Sequence, residues 1–258
     1  MKRGLWLCRS CRRQVSVTAG TIFQDSHLPL TTWFRAMWHV ASQKNGVSAL
    51  GVQRVLGLGS YQTAWAWLHK LRRAMVRPGR EPLTGTVEVD EAYWGAEEAG
   101  VVGRLTEDKA LVIVAAECKG PRKIGRIRLA PIPDLKRVTL HGFIAANVAP
   151  GSVVVTDGLR AYGKLAGYDH RPVLVVGGPR PTKDLPHVHT VISLAKRWLM
   201  GTHHGSISHK HLGYYLEEFT FRFNRRSSAS RGKLFYRLAQ QAVQIEPHPY
   251  KKLIDHNP

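Results

Sequence analysis

The sequence predicts an α/β fold, a mixed β-sheet flanked by helices and preceded by a helical region, and three observations carry that prediction. Thr86 to Gly95, TVEVDEAYWG, alternates Val87 and Val89 with Glu88 and Asp90, so it reads as a strand with two unlike faces ending in the acidic pair Asp90-Glu91. Ser152 to Asp157, SVVVTD, is a run of β-branched residues, the pattern of a buried strand, and it too ends in Asp. Around these two, strand patterns alternate with helical ones. A single Asp after a strand most often opens a solvated turn. Two strands delivering a carboxylate at the same end would instead form the floor of an oxygen-ligand cation site.

Composition narrows the partners. The 258 residues carry 38 Lys+Arg against 18 Asp+Glu, a formal net charge of +20, with seven Trp and eight Tyr interleaved. Such a surplus points to a polyanion, most economically nucleic acid. No apolar run is long enough to span a bilayer and no signal peptide is seen, so a cytoplasmic protein without a membrane partner is expected. Three cysteines, Cys8, Cys11 and Cys118, cannot build a disulfide framework.

Residues 1–24 read as a partial zinc ribbon. Cys8 and Cys11 have the C-x-x-C spacing of one knuckle, and a tetrahedral structural site needs two. Zn²⁺ is therefore expected only if an upstream knuckle is restored, and the chain reads as N-terminally truncated. The alternative is a free cysteine pair in a basic loop.

Residues 25–82 read as a helix-turn-helix DNA-binding region. Leu30 to Gln43 places Leu30, Trp33, Phe34, Met37, Trp38 and Ala41 at helical spacing in one stripe. A shorter helix, Val47 to Leu56, and a turn at Gly57-Leu-Gly59 follow, and Ser60 is positioned to cap a helix reaching Met75. Ser60, Tyr61, Gln62 and Trp65 fall where base edges are read, with Arg72 and Arg73 on the same side. A plain three-helix bundle with a solvated basic face has the same periodicity. Arg77-Pro-Gly-Arg-Glu-Pro82 breaks the pattern and marks a domain boundary.

Residues 83–205 read as the catalytic domain. After the first strand, Ala110 to Cys118 and Gly125 to Ala130 complete a three-strand meander. Val138 to Asn147 is a helix, Ser152 to Asp157 a fourth strand, Leu159 to Leu165 a short helix, and His170 to Val176 a fifth strand. Pro186 can open a final helix, His187 to Met200. That order is the order of an RNase H-like fold, with metal-binding acids on the first and fourth strands. No Asp or Glu lies between Pro186 and Gly201, so a third protein ligand on this helix is His187 or His189; a lone helical His is otherwise packing or surface.

Residues 206–258 read as a basic C-terminal helical region. Ser208 to Asn224 and Lys233 to Gln244 are amphipathic helices, and Arg222, Arg225, Arg226 and Arg231 cluster around a Ser-rich turn, as a DNA-backbone surface or an ordinary solvated turn. The tail from Glu246 is expected to be loosely ordered.

The stretches CRSCRRQVSVTAGTIF, WFRAMWHVASQKNGVSALGVQRVLGLGSYQTAWAWLHKLRRAM, GTVEVDEAYWG, VVTDGLRAY, SLAKRWLMGTHHGSISHKHLGYYLEEFTFRFNRR and RGKLFYRLAQQAV together resemble a known family. It is the bacterial insertion-sequence transposases that join a zinc ribbon and helix-turn-helix to a DDE-type domain, the relatives of Merlin elements. The resemblance implies that Asp90 and Asp157 are the first two metal ligands. It also implies that His189 is the third, with Lys196 seven residues on as its basic partner. The implied activity is DNA strand cleavage and strand transfer at element ends, with Mg²⁺ or Mn²⁺ as cofactor. Insertion-sequence ends and target DNA are the implied partners, bound by a homo-oligomer. Lys196 and Arg197 would hold phosphates of the cleaved end. Two other readings stay open: an inactive truncated remnant that only binds DNA, and a metal nuclease of the same fold without strand transfer.

Overall fold

A computed structural model of the chain describes residues 4–95, 109–173, 184–203 and 207–254. It divides into two compact units, one made of the residues up to Pro78 together with those from Ser228 onward, the other of Gly79–Ser227. The stretch read from sequence as one C-terminal region is thus shared between them.

In the first unit a small hairpin, β1 (Leu5–Leu7) and β2 (Gln14–Ser16), pairs antiparallel and carries Cys8 and Cys11 in its connection. Three helices follow: α1 (Leu30–Ser42), α2 (Ala49–Leu56) and α3 (Tyr61–Ala74). α1 buries Trp33, Ala36, Met37, Val40 and Ala41, a stripe with helical period, whereas Phe34 and Trp38 stay exposed. Ser48 caps α2 by accepting the Gly51 N–H, and Gly57 ends it in the left-handed region at φ 63°. Only the turn residues 57–60 separate α2 from α3. The indole of Trp33 stacks on Trp67 of α3 with ring centroids 3.8 Å apart, and its Nε1–H donates to Ser26 Oγ at 2.8 Å.

The chain returns to this unit at its other end. α7 (Arg231–Ala242) buries Leu234, Leu238 and Ala242, and Gln241 Nε2 donates to the Ala74 carbonyl at 2.7 Å. The tail from Glu246, expected to be loose, instead forms a short helix, α8 (Tyr250–Ile254), with Leu253 buried and Tyr250 edge-on to Trp65. Burial and the cations Arg73, Lys252 and Lys70 push the buried His248 imidazole down to about 4. An unfolded histidine takes up its proton near pH 6.5, so between that and the folded value the unfolded chain binds more protons. Stability of this unit therefore falls as pH drops from about 6.5 towards 4, by at most about 3 kcal/mol. Urea titrations at neutral and acid pH should show that loss, and His248→Gln should flatten it.

The second unit is built on a five-stranded mixed sheet. β3 (Thr86–Trp94), β4 (Ala110–Cys118) and β5 (Ile124–Ile132) form an antiparallel meander. α4 (Arg137–Asn147) crosses over to β6 (Val153–Thr156), which lies parallel to β3, and β7 (Asp169–Pro172) lies parallel to β6. The spatial order is β5-β4-β3-β6-β7. A single 3₁₀ turn, Arg160–Tyr162, stands where a short helix was expected. The expected strand to Val176 ends at Pro172, and its last residues, with most of the loop that follows, lie outside the described residues. α5 (Pro186–His203) and α6 (His209–Asn224) complete the unit.

The period of two along each strand makes two cores. Val112, Val114 and Ala116 of β4 face α5 and α6, joining Val188, Val191, Ala195, Leu216 and Phe219. Ile113 and Ala115 face the other way, joining Leu140, Phe143 and Ile144 of α4. A strand buried on both faces has to be apolar throughout, and ALVIVAA is. This is an RNase H-like α/β arrangement, as the order of elements predicted.

Candidate active site

β3 distributes its side chains by the same alternation. Val87 and Val89 enter the α4 core, while Ala92 and Trp94 lie against the α5 core. Glu88 and Asp90 share that second face, and both are buried. The parallel pairing of β3 with β6 matches Glu88 with Val155 and goes no further. Two residues on, the same register brings Asp90 opposite Asp157, at the carboxyl ends of adjacent parallel strands. Asp90 Oδ1 accepts the Glu91 N–H at 2.9 Å and Asp157 Oδ1 accepts the Leu159 N–H at 3.0 Å. Each Asp is thereby fixed to its own backbone through one oxygen.

A third carboxylate joins them. Oxygens of Asp90, Glu91 and Asp157 all lie within 4.8 Å of one another. Alternation alone puts Glu91 on the far face from Asp90. Because the ladder to β6 has already stopped, that edge of β3 is open, and the longer Glu side chain reaches the same place. Tyr162 donates its hydroxyl to Glu91 Oε2 at 2.8 Å. Burial and then the Glu91 charge hold the Tyr162 phenol well above its ordinary range, so it acts as a fixed donor. The motif VVTDGLRAY therefore supplies both a carboxylate, Asp157, and the group that orients another. Sequence reading noted Glu91 but gave it no part, and missed Tyr162; the spacing Asp-x-x-x-x-Tyr across a turn was the available signal.

α5 approaches from the other side. His189 Nε2 stands 3.6 Å from Asp90 Oδ2. His187, the other histidine considered for this role, points elsewhere: Nδ1 lies 2.6 Å from Glu88 Oε1 and Nε2 2.8 Å from the Gly120 carbonyl oxygen. Two turns beyond His189, the exposed Lys196 holds its Nζ 5.8 Å from the centroid of the Trp94 ring. Desolvation, and next the charge of Lys109, lower the Lys196 pKa. Arg197 beside it is exposed. Three carboxylates with hard oxygens converging within a few ångströms suit Mg²⁺ or Mn²⁺, and the imidazole at their edge suits Mn²⁺ better than Mg²⁺.

The ISXO2-like transposase domain matches residues 82–224, more than half of the chain and the whole of β3 to α6. This chain belongs to that family. A second similarity agrees: an uncharacterized protein in transposable element ISH50 of Halobacterium salinarum is 29% identical over 240 residues, covering 84% of this chain and 77% of its own length. The ISXO2-like transposase assignment brings with it a DNA-processing role, DNA as partner and use of a divalent metal. Among the described residues, no helix of this transposase is long and apolar enough to cross a membrane.

Other expected site residues are placed less favourably. Ser60, Tyr61 and Gln62 open α3, with Tyr61 and Gln62 exposed, and Ser60 Oγ donates to Gln62 Oε1 at 2.8 Å. Trp65 packs on His69 and Tyr250, and Arg72 is only 2% exposed, so α3 turns both partly or wholly into its own unit and not outward to DNA. Arg73 is half-buried. In the basic cluster around the end of α6, Arg222 and Arg225 are half-buried while Arg226 and Arg231 are exposed. Arg222 pairs with Glu218 at 2.7 Å, and Arg225 covers the Phe221 ring at 4.1 Å. Arg226 covers Phe223 and donates to the carbonyls of Ile124, Gly125 and Phe223. Arg226 thus ties the end of α6 to the start of β5, whereas the Glu218 and Phe221 partners of Arg222 and Arg225 lie on α6 itself. At the hairpin, Cys8 and Cys11 are exposed, and hydrogen bonds from Cys11 and then Ser10 pull the Cys8 thiol down to about 7. Among the described residues no third metal-ligating group gathers with them.

Proposed function

We propose that this transposase, of the Merlin-related group, cuts DNA at insertion-sequence ends and joins the freed 3′ ends to a target, with a variant Asp-Asp-His-Lys set of catalytic residues. Asp90, Asp157 and His189 hold the divalent cations, and Lys196 contacts the DNA. The observation that carries this reading is the juxtaposition of the Asp90 and Asp157 carboxylates at adjacent strand ends with His189 Nε2 3.6 Å from Asp90. These groups come from positions nearly a hundred residues apart.

Divalent cations bound there supply activation of an oxygen nucleophile and neutralisation of the departing 3′ oxygen. The protein's own part is geometric and electrostatic. Asp90 and Asp157, each anchored by a backbone N–H, present charge in a fixed direction. Glu91, held by Tyr162, adds a third charge, which raises the affinity of the pocket for cations over neutral ligands. Lys196 and Arg197 lie further along α5, where a DNA strand leaving the carboxylates would place its next phosphates. Ser60, Tyr61 and Gln62 at the exposed start of α3 are the groups offered for base reading, with Arg73 as a backbone contact. Because two element ends must be brought together, the working form is a homo-oligomer on DNA. Cys8 and Cys11 are half of a zinc site, and Zn²⁺ belongs to the protein only where further ligands join them.

The test is an assay on a labelled element end with Mg²⁺ and with Mn²⁺, scoring cleavage and joining separately. Both products are expected from the full chain, with Mn²⁺ at least as effective. Cleavage without joining would make the protein a nuclease of this fold. Specific end binding without either product would make it a DNA-binding remnant.

A further inference from the structure

We propose that Glu88 is a positioning residue for this site: its buried carboxylate pins the first turn of α5 to β3, and that attachment sets the approach of His189 to Asp90. The proposal rests on the reading of Asp90 and His189 as metal ligands given above, and it concerns groups that reading leaves unused.

Glu88 stands two residues before Asp90 on the same face of β3, about 7 Å along the strand. Its Oε2 accepts the backbone N–H groups of His187 and Val188, each at 2.8 Å. These are among the first N–H groups of α5, which have no partner within their own helix, so a residue distant in sequence caps it. A carboxylate there also meets the positive end of the helix dipole. The other oxygen, Oε1, faces His187 Nδ1 at 2.6 Å and the Cys118 thiol at 3.5 Å. His187 Nε2 faces the Gly120 carbonyl at 2.8 Å. Both ring nitrogens meet acceptors, so the ring donates from both and joins α5 to β3 and to the β4–β5 turn at once.

The same contacts decide what Glu88 does not do. Ligand atoms of Glu88, Cys118 and His187 lie within 4.8 Å of one another, a set that could hold a metal. Two nitrogen or oxygen ligands about 2.1 Å from a tetrahedral ion stand roughly 3.4 Å apart. The 2.6 Å between Glu88 Oε1 and His187 Nδ1 is a hydrogen bond with no space for an ion. Glu88 accepts four hydrogen bonds and has no lone pair to turn toward Asp90. Of the two acids on this face of β3, one is left for the cation and the other fixes the helix that brings the imidazole.

The experiment is a Mn²⁺ titration followed by electron paramagnetic resonance on the full chain, run on wild type, Glu88→Gln, His187→Gln, Cys118→Ala and Asp90→Asn. Circular dichroism and a thermal melt confirm which are folded at the titration temperature. Loss of a group that orients a metal ligand commonly weakens binding about 10- to 100-fold. Glu88→Gln should fall in that range while still folded, His187→Gln should follow in the same direction, and Cys118→Ala should stay within about twofold of wild type. If Glu88→Gln does not fold, His187→Gln carries the test by the same criterion. A folded Glu88→Gln or His187→Gln that melts earlier yet binds Mn²⁺ as tightly as wild type would overturn the proposal. Stoichiometric Zn²⁺ lost in Cys118→Ala would also overturn it, by making the three residues a metal site. Asp90→Asn separates the two readings. If it binds Mn²⁺ normally, the site assignment itself falls; if it does not bind while Glu88→Gln does so normally, only the role of Glu88 falls.

Discussion

An Asp157→Ala variant is expected to lose metal-dependent cleavage of element ends by on the order of 10³-fold or more, with no recovery in excess Mn²⁺. The reason is positional. Asp157 is the only acid that β6 brings beside the pair on β3, and its Oδ1 is already fixed by the Leu159 N–H. Without it, Asp90 and Glu91 remain on one strand with, among the described residues, no carboxylate from β6 opposite them to share a cation pair. Asp157→Asn is the sharper version, because an amide keeps the hydrogen bond to Leu159 and removes only the charge. It should lose nearly as much. Single-turnover kinetics on a labelled oligonucleotide, with end binding measured alongside, gives the result. A loss under tenfold in both variants would take Asp157 out of the reaction.

The largest stability effect should come from Trp33→Ala. Trp33 is fully buried, stacks on Trp67, meets Phe23 edge-on at 5.2 Å, and has its one polar atom satisfied by Ser26. Truncation removes the ring area, leaves a cavity between α1 and α3, and removes the hydrogen bond that Ser26 Oγ accepts from the indole. Together these should cost about 3–5 kcal/mol. Trp33→Phe, which retains a stacking ring but not the N–H, should cost clearly less. Urea denaturation followed by near-ultraviolet circular dichroism measures both. Equal effects of the two substitutions would mean that the hydrogen bond to Ser26, and not the packing on Trp67, carries the stabilisation.

Much of the sheet was legible because period and chemistry agreed. β4 was bounded correctly from its uninterrupted apolar run, and the two Asp-terminated strands proved to be neighbours in one sheet. What could not be read were properties of pairing at a distance. Whether Glu91 joins Asp90 depends on where the β3–β6 ladder stops, and nothing local to either strand states that. His187 and His189 are the same residue type on the same helix; which one reaches Asp90 is decided by Glu88 and Gly120, 99 and 67 residues from His187. On α1, Phe34 and Trp38 fit the apolar stripe by spacing but lie outside the buried set. Arg72 fitted the polar side of α3 by spacing but is buried, because a basic side chain in sequence carries no sign of whether its own fold already holds it.

The helical unit is assembled from both extremities of the chain, with the sheet unit inserted between them. During synthesis, α1 to α3 leave the ribosome with Leu234, Leu238 and Gln241 still untranslated, so the groups they pack against or donate to are missing. The inserted unit is complete before α7 and α8 are made and can fold first. The helices made before the inserted unit therefore become native after it, and a stop codon shortly after Ser227 would spare the metal-binding residues while leaving those helices an exposed, aggregation-prone surface.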